Sequence, residues 1–302
     1  MGEPAVHEVG GLSKMLKTKS KAYWLFLAPA LIGLLCVVIV PMLLGLFYSF
    51  TDWNGLFFTK SVGFSNYVAA FRDSGFLNAF WFTVKYAIAV IIAVNIIGLG
   101  LALLVTQKIK GANALRTIFF MPNLIGGLIL GFIWQFIFVR VFAAIGTALH
   151  IGALTGWLSN PQTGFWGLVI LTIWQMSGYI MLIYIAYLEA IPREIIEAAE
   201  IDGTSPWQRF RYITFPMVAP AFTVSLFLTL SNGFKVYDQN LSLTNGGPYL
   251  STQMLSMNIV RTAFTNNKLA YGEAKAIIFF LVVAAISLLQ VYFSRKREEN
   301  LS

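Results

Sequence analysis

The chain has 302 residues, 58% of them hydrophobic and 11% charged, under half the charged share of an ordinary soluble domain. That balance excludes a soluble globular fold and points to a polytopic membrane protein. The net charge of +8 then reports membrane topology and anionic headgroups rather than a nucleic-acid partner, and the lone Cys36 closes no intrachain disulfide.

A bilayer core takes roughly 20 apolar residues as a helix, and six runs meet that length: 23–50, 80–107, 115–139, 164–188, 217–236 and 275–294. They are long and continuous, whereas a β-barrel shows short alternating segments. The expected fold is therefore all-α, a six-helix transmembrane domain over 23–294 between terminal tails 1–22 and 295–302. Lys14, Lys17, Lys19 and Lys21 precede the first run, which its length marks as a retained helix rather than a signal peptide. Pro29 and Pro41 lie inside it as potential kinks. The loop 51–79 carries Trp53, with Trp81 just beyond it, as interfacial rings. Lys108, Lys110 and Arg116 follow the second run. Loop 140–163 holds Trp157 and a Ser159-Asn160-Pro161 turn signal. Loop 189–216 is rich in both charge signs. Loop 237–274 contains the tight Asn245-Gly246-Gly247-Pro248 turn and then 252–264, predicted as a helix along the membrane surface.

Charge orients the bundle. The four N-terminal lysines, the three cations after the second run, Arg193, Arg209 and Arg211, and Arg295, Lys296 and Arg297 share one side. Lys60, Arg72, Arg140, Arg261 and Lys268 face the other. The positive-inside rule then puts both termini in the cytoplasm. No phosphate-binding loop of the G-x-x-x-x-G-K-[ST] type occurs, so this chain cradles no nucleotide. No His/Cys cluster suits a metal, and no serine has a base placed to activate it. An enzyme is not expected.

One cytoplasmic stretch is polar where spanning lipid requires no polarity. Residues 193–201 read as a short helix, with Pro192 near its start and Glu194 in the first turn, where the dipole favours acid. Asp202-Gly203 ends it, glycine taking a left-handed cap without penalty. Ser205-Pro206 opens a second helix as N-cap and N1, and Pro216 separates that helix from the fifth span. Read from composition alone, the stretch is equally an amphipathic connector on the headgroups or a surface for a partner.

The pattern Glu197-Ala198-Ala199, then Asp202-Gly203, closed by Ile213 and Pro216, resembles the "EAA" loop of binding-protein-dependent ABC importer permeases. The similarity runs on through Ser49-Phe50-Thr51, Gly63 with Asn66-Tyr67, Lys110-Gly111 with Arg116 and Pro122, and Leu243-Thr244-Asn245-Gly246-Gly247-Pro248. That last turn resembles the one in the carbohydrate subgroup, of maltose and multiple-sugar type. Phe82 stands where an asparagine is usual before Thr83, and Phe215 where leucine is common before the proline.

The resemblance implies a type I importer bundle in a bacterial or archaeal cell membrane. It pairs with a second permease and sits on two ATP-binding subunits, which hold the ATP and magnesium while this chain holds no cofactor. An extracytoplasmic binding protein delivers a sugar. In that frame the loop is a coupling helix: Glu197 is the charged anchor, Ala198, Ala199 and Gly203 allow close approach, Asp202 is a turn and contact residue, and Phe210 and Pro216 close the surface. Gly246, Gly247 and Pro248 fall where the binding protein docks.

Polar residues inside spans are costly and therefore suspect. On the fourth and fifth spans Trp174, Gln175, Tyr179, Asn232, Lys235, Tyr237 and Asp238 offer aromatic faces and hydrogen-bonding groups suited to a sugar. Interfacial anchoring explains the rings equally well, and Lys235 and Asp238 stand three apart, where they can pair with each other. The solute stays open between a sugar and another polar solute such as glycerol phosphate, for which Lys235 is the natural anion partner. An ion-coupled secondary transporter is disfavoured, because the cores of the six runs lack a carboxylate.

Overall fold

The computed structural model describes residues 24–57, 60–107 and 109–299, apart from the side chains of 297–299. The tail 1–22 with its four lysines, Lys108 and residues 300–302 lie outside the described residues. Helix α1 (Trp24–Ser49) carries a π turn at Leu35–Ile39 directly before Pro41, a widened turn that accommodates the missing proline donor. After α2 (Ser65–Arg72) come α3 (Ser74–Val105), α4 (Ala112–Phe120) and α5 (Gly127–Ala148). Next is α6 (Pro161–Glu189), then the polar pair α7 (Arg193–Ile201) and α8 (Pro206–Met217), then α9 (Ala219–Phe234). The chain closes with α10 (Asp238–Leu243), α11 (Leu255–Val260, continued by a π turn at Arg261–Thr265) and α12 (Leu269–Glu299).

Among the described residues five helices are long and apolar enough to cross a membrane, or six if α8 and α9, bent by 65°, form one span. Helix α6 is the hub. Its buried positions Leu168, Leu171, Ile180, Met181 and Tyr184 pack with Tyr86, Val90 and Val94 of α3 and Leu130 of α5. A Cβ on Gly178 would overlap the Phe119 carbonyl, so the end of α4 crosses α6 only because that position has no side chain. By contrast, α1 buries none of its most apolar stretch against the rest of the chain.

Two spans differ from the sequence expectation. The run 115–139 is broken: α4 stops at Phe120, a 3₁₀ turn covers Met121–Leu124, and α5 restarts at Gly127. Pro122 removes a donor there, and helical hydrogen bonding resumes only past Gly126. Irregular backbone at membrane depth is tolerated where protein or a cavity covers it. Here the Ile125 carbonyl accepts from the Gln175 side chain at 3.2 Å. The fifth run bends at Val218, between Pro216 and Pro220.

The outer motifs serve as ties. Asn66 donates to the carbonyls of Ser49 (2.8 Å) and Thr51 (2.9 Å), and Tyr67 shares a 2.6 Å hydrogen bond with Ser49 Oγ. The open end of α1 is thereby capped by α2. Helix α11 is no free surface helix. Leu255, Met257, Asn258, Thr262 and Ala263 are buried, and Gly272 of α12 packs so close to Ala263 that a Cβ would clash. Thr83 Oγ1 accepts the Leu255 N–H at 2.9 Å, satisfying one of the helix's free donors.

Candidate functional site: a polar loop and a midspan cavity

In α7–α8, Gly203 adopts φ +75° with no atom near a would-be Cβ, so conformation rather than crowding within the chain requires glycine there. Ser205 and Gln208 form a reciprocal capping box at the start of α8, with Pro206 just inside it. Glu200 and Arg209 form a salt bridge of 2.5 Å across the two helices, and Arg116 of α4 meets Glu189 at 2.6 Å at the end of α6.

Glu197, Ala198, Asp202 and Gly203 are exposed. Ala199 instead turns inward: it is buried, and its carbonyl accepts from the Thr204 amide (3.1 Å) and hydroxyl (2.6 Å). Phe210 is half-buried and stacks on Trp207 at 5.6 Å, and Pro216 is half-buried. The sequence reading passed over three bulky residues here, Ile201 (87% exposed), Trp207 (67%) and Tyr212 (71%). Their signal was available, since each is a large apolar or aromatic side chain in a short polar segment that has little interior to fill.

Five of the candidate residues of the fourth and fifth spans, Trp174, Gln175, Tyr179, Asn232 and Lys235, divide between two cavities. Asn123, Thr172, Gln175, Met176, Tyr179, Leu228, Asn232, Lys235, Val236 and Gln239 line one of about 350 Å³. Gln239 Nε2 donates to Gln175 Oε1 at 3.0 Å on its wall. Trp174 lies elsewhere, in an apolar cavity of about 620 Å³ with Phe119, Pro122, Trp134, Ser177 and Gly178. Its ring meets Trp134 edge-on at 5.8 Å. One helical position separates Trp174 from Gln175, a rotation of about 100°, and that is enough to send them into different spaces. Tyr237 and Asp238 line neither cavity. Tyr237 sits at the N-cap position of α10, and the Asp238 Cβ packs where Gly127 leaves room. Lys235 makes no ion pair with Asp238, and it faces the smaller cavity as its charged group. Gln239 stands out in the sequence beside Asn232 and Lys235 at the end of the fifth span, but Asn123 and Thr172 were missed; Asn123 comes from the break after Pro122, which no periodicity foretells.

On the opposite side, Asn245 (φ +47°) and Gly246 (φ +76°) precede a cis Gly247-Pro248 bond, followed by Tyr249 (φ +51°) and Leu250 (φ +62°). Thr252 Oγ1 donates to the Gly247 carbonyl at 2.6 Å, and Arg261 donates to the carbonyl and side chain of Asn245. The turn is thus braced from beneath while the Tyr249 side chain stands fully exposed.

Close by, Lys275 of α12 is almost wholly buried. It donates to Asp73 (2.8 Å), Asn258 (3.0 Å) and Thr262 (2.9 Å), and Tyr271 donates to the same Asp73 oxygen at 3.0 Å. Asp73 also caps α3 through the amides of Gly75 and Phe76. Burial pushes the Asp73 carboxyl up, but the Lys275 and Phe76 hydrogen bonds and the Lys275 charge outweigh it and hold the group below its ordinary value.

Comparison with known proteins identifies the family of the chain. The chain is 57% identical over 276 residues to the probable starch degradation products transport system permease protein AmyD of Thermoanaerobacterium thermosulfurigenes, spanning 91% of this chain and 94% of that protein. It is 33% identical over 277 residues to the multiple sugar-binding transport system permease protein MsmF of Streptococcus mutans serotype c, spanning 91% and 96%. A crystal structure of a bacterial ABC transporter involved in the import of the acidic polysaccharide alginate shares the fold at TM-score 0.82 and 23% identity, over 94% of this chain and 98% of that one. The model of one family covers residues 94–299. With that match over more than half of its length, the chain belongs to the binding-protein-dependent transport system inner membrane components, a family of ABC transporter permeases rather than enzymes.

Proposed function

We propose that this chain is a transmembrane subunit of an ATP-driven importer of sugars, most directly oligosaccharides. It forms the translocation path with a second permease and takes its mechanical input through α7–α8. The observation that carries the reading is the 57% identity, across nearly the whole chain, to a permease named for starch degradation products. The site chemistry supports it. The smaller cavity combines a tyrosine ring with four amide side chains, the groups that hold sugar hydroxyls and C–H faces.

In this reading both termini and α7–α8 are cytoplasmic, and two ATPase subunits bind the nucleotide and its magnesium. Closure of the ATPases draws the loop and its counterpart together and rocks the bundle between two discrete arrangements. Glu197, Ala198, Asp202 and Gly203 meet the ATPase, and the braced 245–250 turn meets the binding protein. Uptake of labelled malto-oligosaccharides by cells carrying this permease with its neighbouring transport genes tests the assignment. Uptake that requires the ATPase gene is expected; solute entry without it would refute the reading. Gly203→Val should abolish uptake while leaving membrane abundance unchanged, because a β-branched residue at φ +75° distorts the loop but not the spans.

Lys235 favours a second reading, in which the solute carries an anionic group such as a sugar phosphate or glycerol phosphate. It is the charged side chain on the cavity wall. Competition of uptake by glycerol phosphate, lost in Lys235→Met, distinguishes this solute from a neutral sugar.

A further inference from the structure

Below the cavity, on the side toward α7–α8, four side chains from three helices form a closed polar ring inside the bundle. Ser225 Oγ of α9 donates to Tyr184 OH of α6 at 2.9 Å, and Tyr184 OH donates to Asn95 Oδ1 of α3 at 3.0 Å. Asn95 Nδ2 donates to Thr229 Oγ1 at 3.2 Å and to the Ile91 carbonyl at 2.7 Å. Thr229 Oγ1 donates to the Ser225 carbonyl at 2.7 Å, which closes the ring. Asn95, Tyr184, Ser225 and Thr229 are all buried, the last two completely. Ser225 Oγ and Thr229 Oγ1 also reach the Phe222 and Leu226 carbonyls of their own helix, at 3.1 Å and 3.2 Å, whereas the Tyr184 hydroxyl and one Asn95 amide hydrogen are held by partners from other helices. Apolar packing tolerates sliding of one helix past another; this ring does not, because a slide of α3 past α6 or α9 strands the Tyr184 hydroxyl or an Asn95 amide hydrogen.

Its position gives the ring a mechanical meaning. Helix α6 leads into α7–α8 and α9 leads out of it, so a displacement of the loop reaches the bundle through these two helices. Tyr184 lies between Tyr179, on the cavity wall, and Glu189, where α6 ends. Ser225 and Thr229 lie between the bend at Val218 and the cavity residues Asn232 and Lys235. The ring therefore spans both transmission helices at a height between input and cavity, and Asn95 joins them to α3. We infer that the Asn95–Tyr184–Ser225–Thr229 ring makes α3, α6 and α9 move as one body, so that displacement of the cytoplasmic loop is delivered to the solute cavity rather than lost as slip between helices. These are positioning residues, which touch neither solute nor ATPase. The inference rests on the importer reading above.

The test uses the whole complex, with both permeases, the ATPases and the binding protein, in proteoliposomes. ATP hydrolysis and malto-oligosaccharide uptake are measured on the same vesicles. Tyr184→Phe removes two links, those to Ser225 and to Asn95. A triple variant, Asn95→Leu with Tyr184→Phe and Thr229→Val, replaces the linked polar groups by apolar ones of similar shape and leaves few unsatisfied groups to unfold the bundle. Both should assemble and hydrolyse ATP at near the wild-type rate, while solute moved per ATP falls about threefold to tenfold, the scale of one or two interhelical hydrogen bonds in a membrane. A triple variant with the wild-type ratio of uptake to hydrolysis would overturn the inference. So would variants whose abundance or melting temperature falls while that ratio holds, since the ring would then be only a stabilising feature. If the wild-type complex itself hydrolyses ATP without moving solute, the importer reading fails and the inference falls with it. A normal wild type beside coupled variants condemns the ring alone.

Discussion

At the level of single residues, the clearest departure from sequence expectation is a cation. The sixth run began at Lys275 as if that residue were merely a boundary, yet it is almost wholly buried, bonded to Asp73 from 202 positions away. Burying an ammonium is affordable only when it is paired and fully hydrogen-bonded, and here a carboxylate, an amide and a hydroxyl supply all three acceptors. Asp73→Asn leaves the charge uncompensated and should cost about 3 kcal/mol. Lys275→Met should cost less, since Asp73 keeps about a third of its side chain in solvent. Melting temperatures of the detergent-purified variants measure the difference. The pH dependence follows from the lowered Asp73 value. A depressed carboxylate contributes stability that is complete above its unfolded-state pKa and is lost as pH falls through its folded-state pKa. Wild type should therefore lose melting temperature on acidification below the ordinary carboxylate range, and Asp73→Asn should lose less; parallel curves would contradict this.

Among the elements, the contrast lies between local and non-local signals. The capping box of Ser205 and Gln208 and the left-handed Gly203 are written in adjacent residues, and the structure has both. The break at Pro122 was visible as a proline, but its consequence was not: it opens the wall through which Asn123 enters one cavity and Pro122 the other. The residues alone put Trp174 and Tyr179 in one set, with the family resemblance raising Tyr179 above the rest, and helical rotation separates the two. Tyr179→Ala should raise the half-saturating solute concentration for uptake about fivefold, the worth of one neutral hydrogen bond. Trp174→Ala should leave it within about twofold, since that ring reaches the apolar cavity. Equal losses from both would show that the two cavities join in the loaded state.

For the whole molecule, the notable surface is the one turned toward the cytoplasm in the proposed orientation. Ile201, Trp207 and Tyr212 expose much apolar area on a short polar loop, and large exposed aromatic groups of this kind carry most of the energy of protein interfaces. Trp207→Ala should weaken ATPase association by at least 2 kcal/mol, about thirtyfold. Titration of purified ATPase onto the permease in nanodiscs reads that shift, and unchanged affinity would place the contact elsewhere on the loop.

What the amino-acid sequence determined alone was everything that depends on neighbours along the chain: the runs long enough to span, the punctuation of α7–α8, and the motif pattern that names the family. Lipid enforces this, because a segment in a membrane must satisfy its own backbone and declares itself by continuous apolarity. Tertiary structure alone decided which polar side chains meet. Asn95 and Tyr184 are 89 positions apart, Tyr184 and Ser225 are 41 apart, and the Lys275 cluster draws on three helices or their caps. Such partnerships depend on the rotation and height of one helix against another, which crossing points such as Gly178 set. Those quantities leave no trace in any single stretch of the chain.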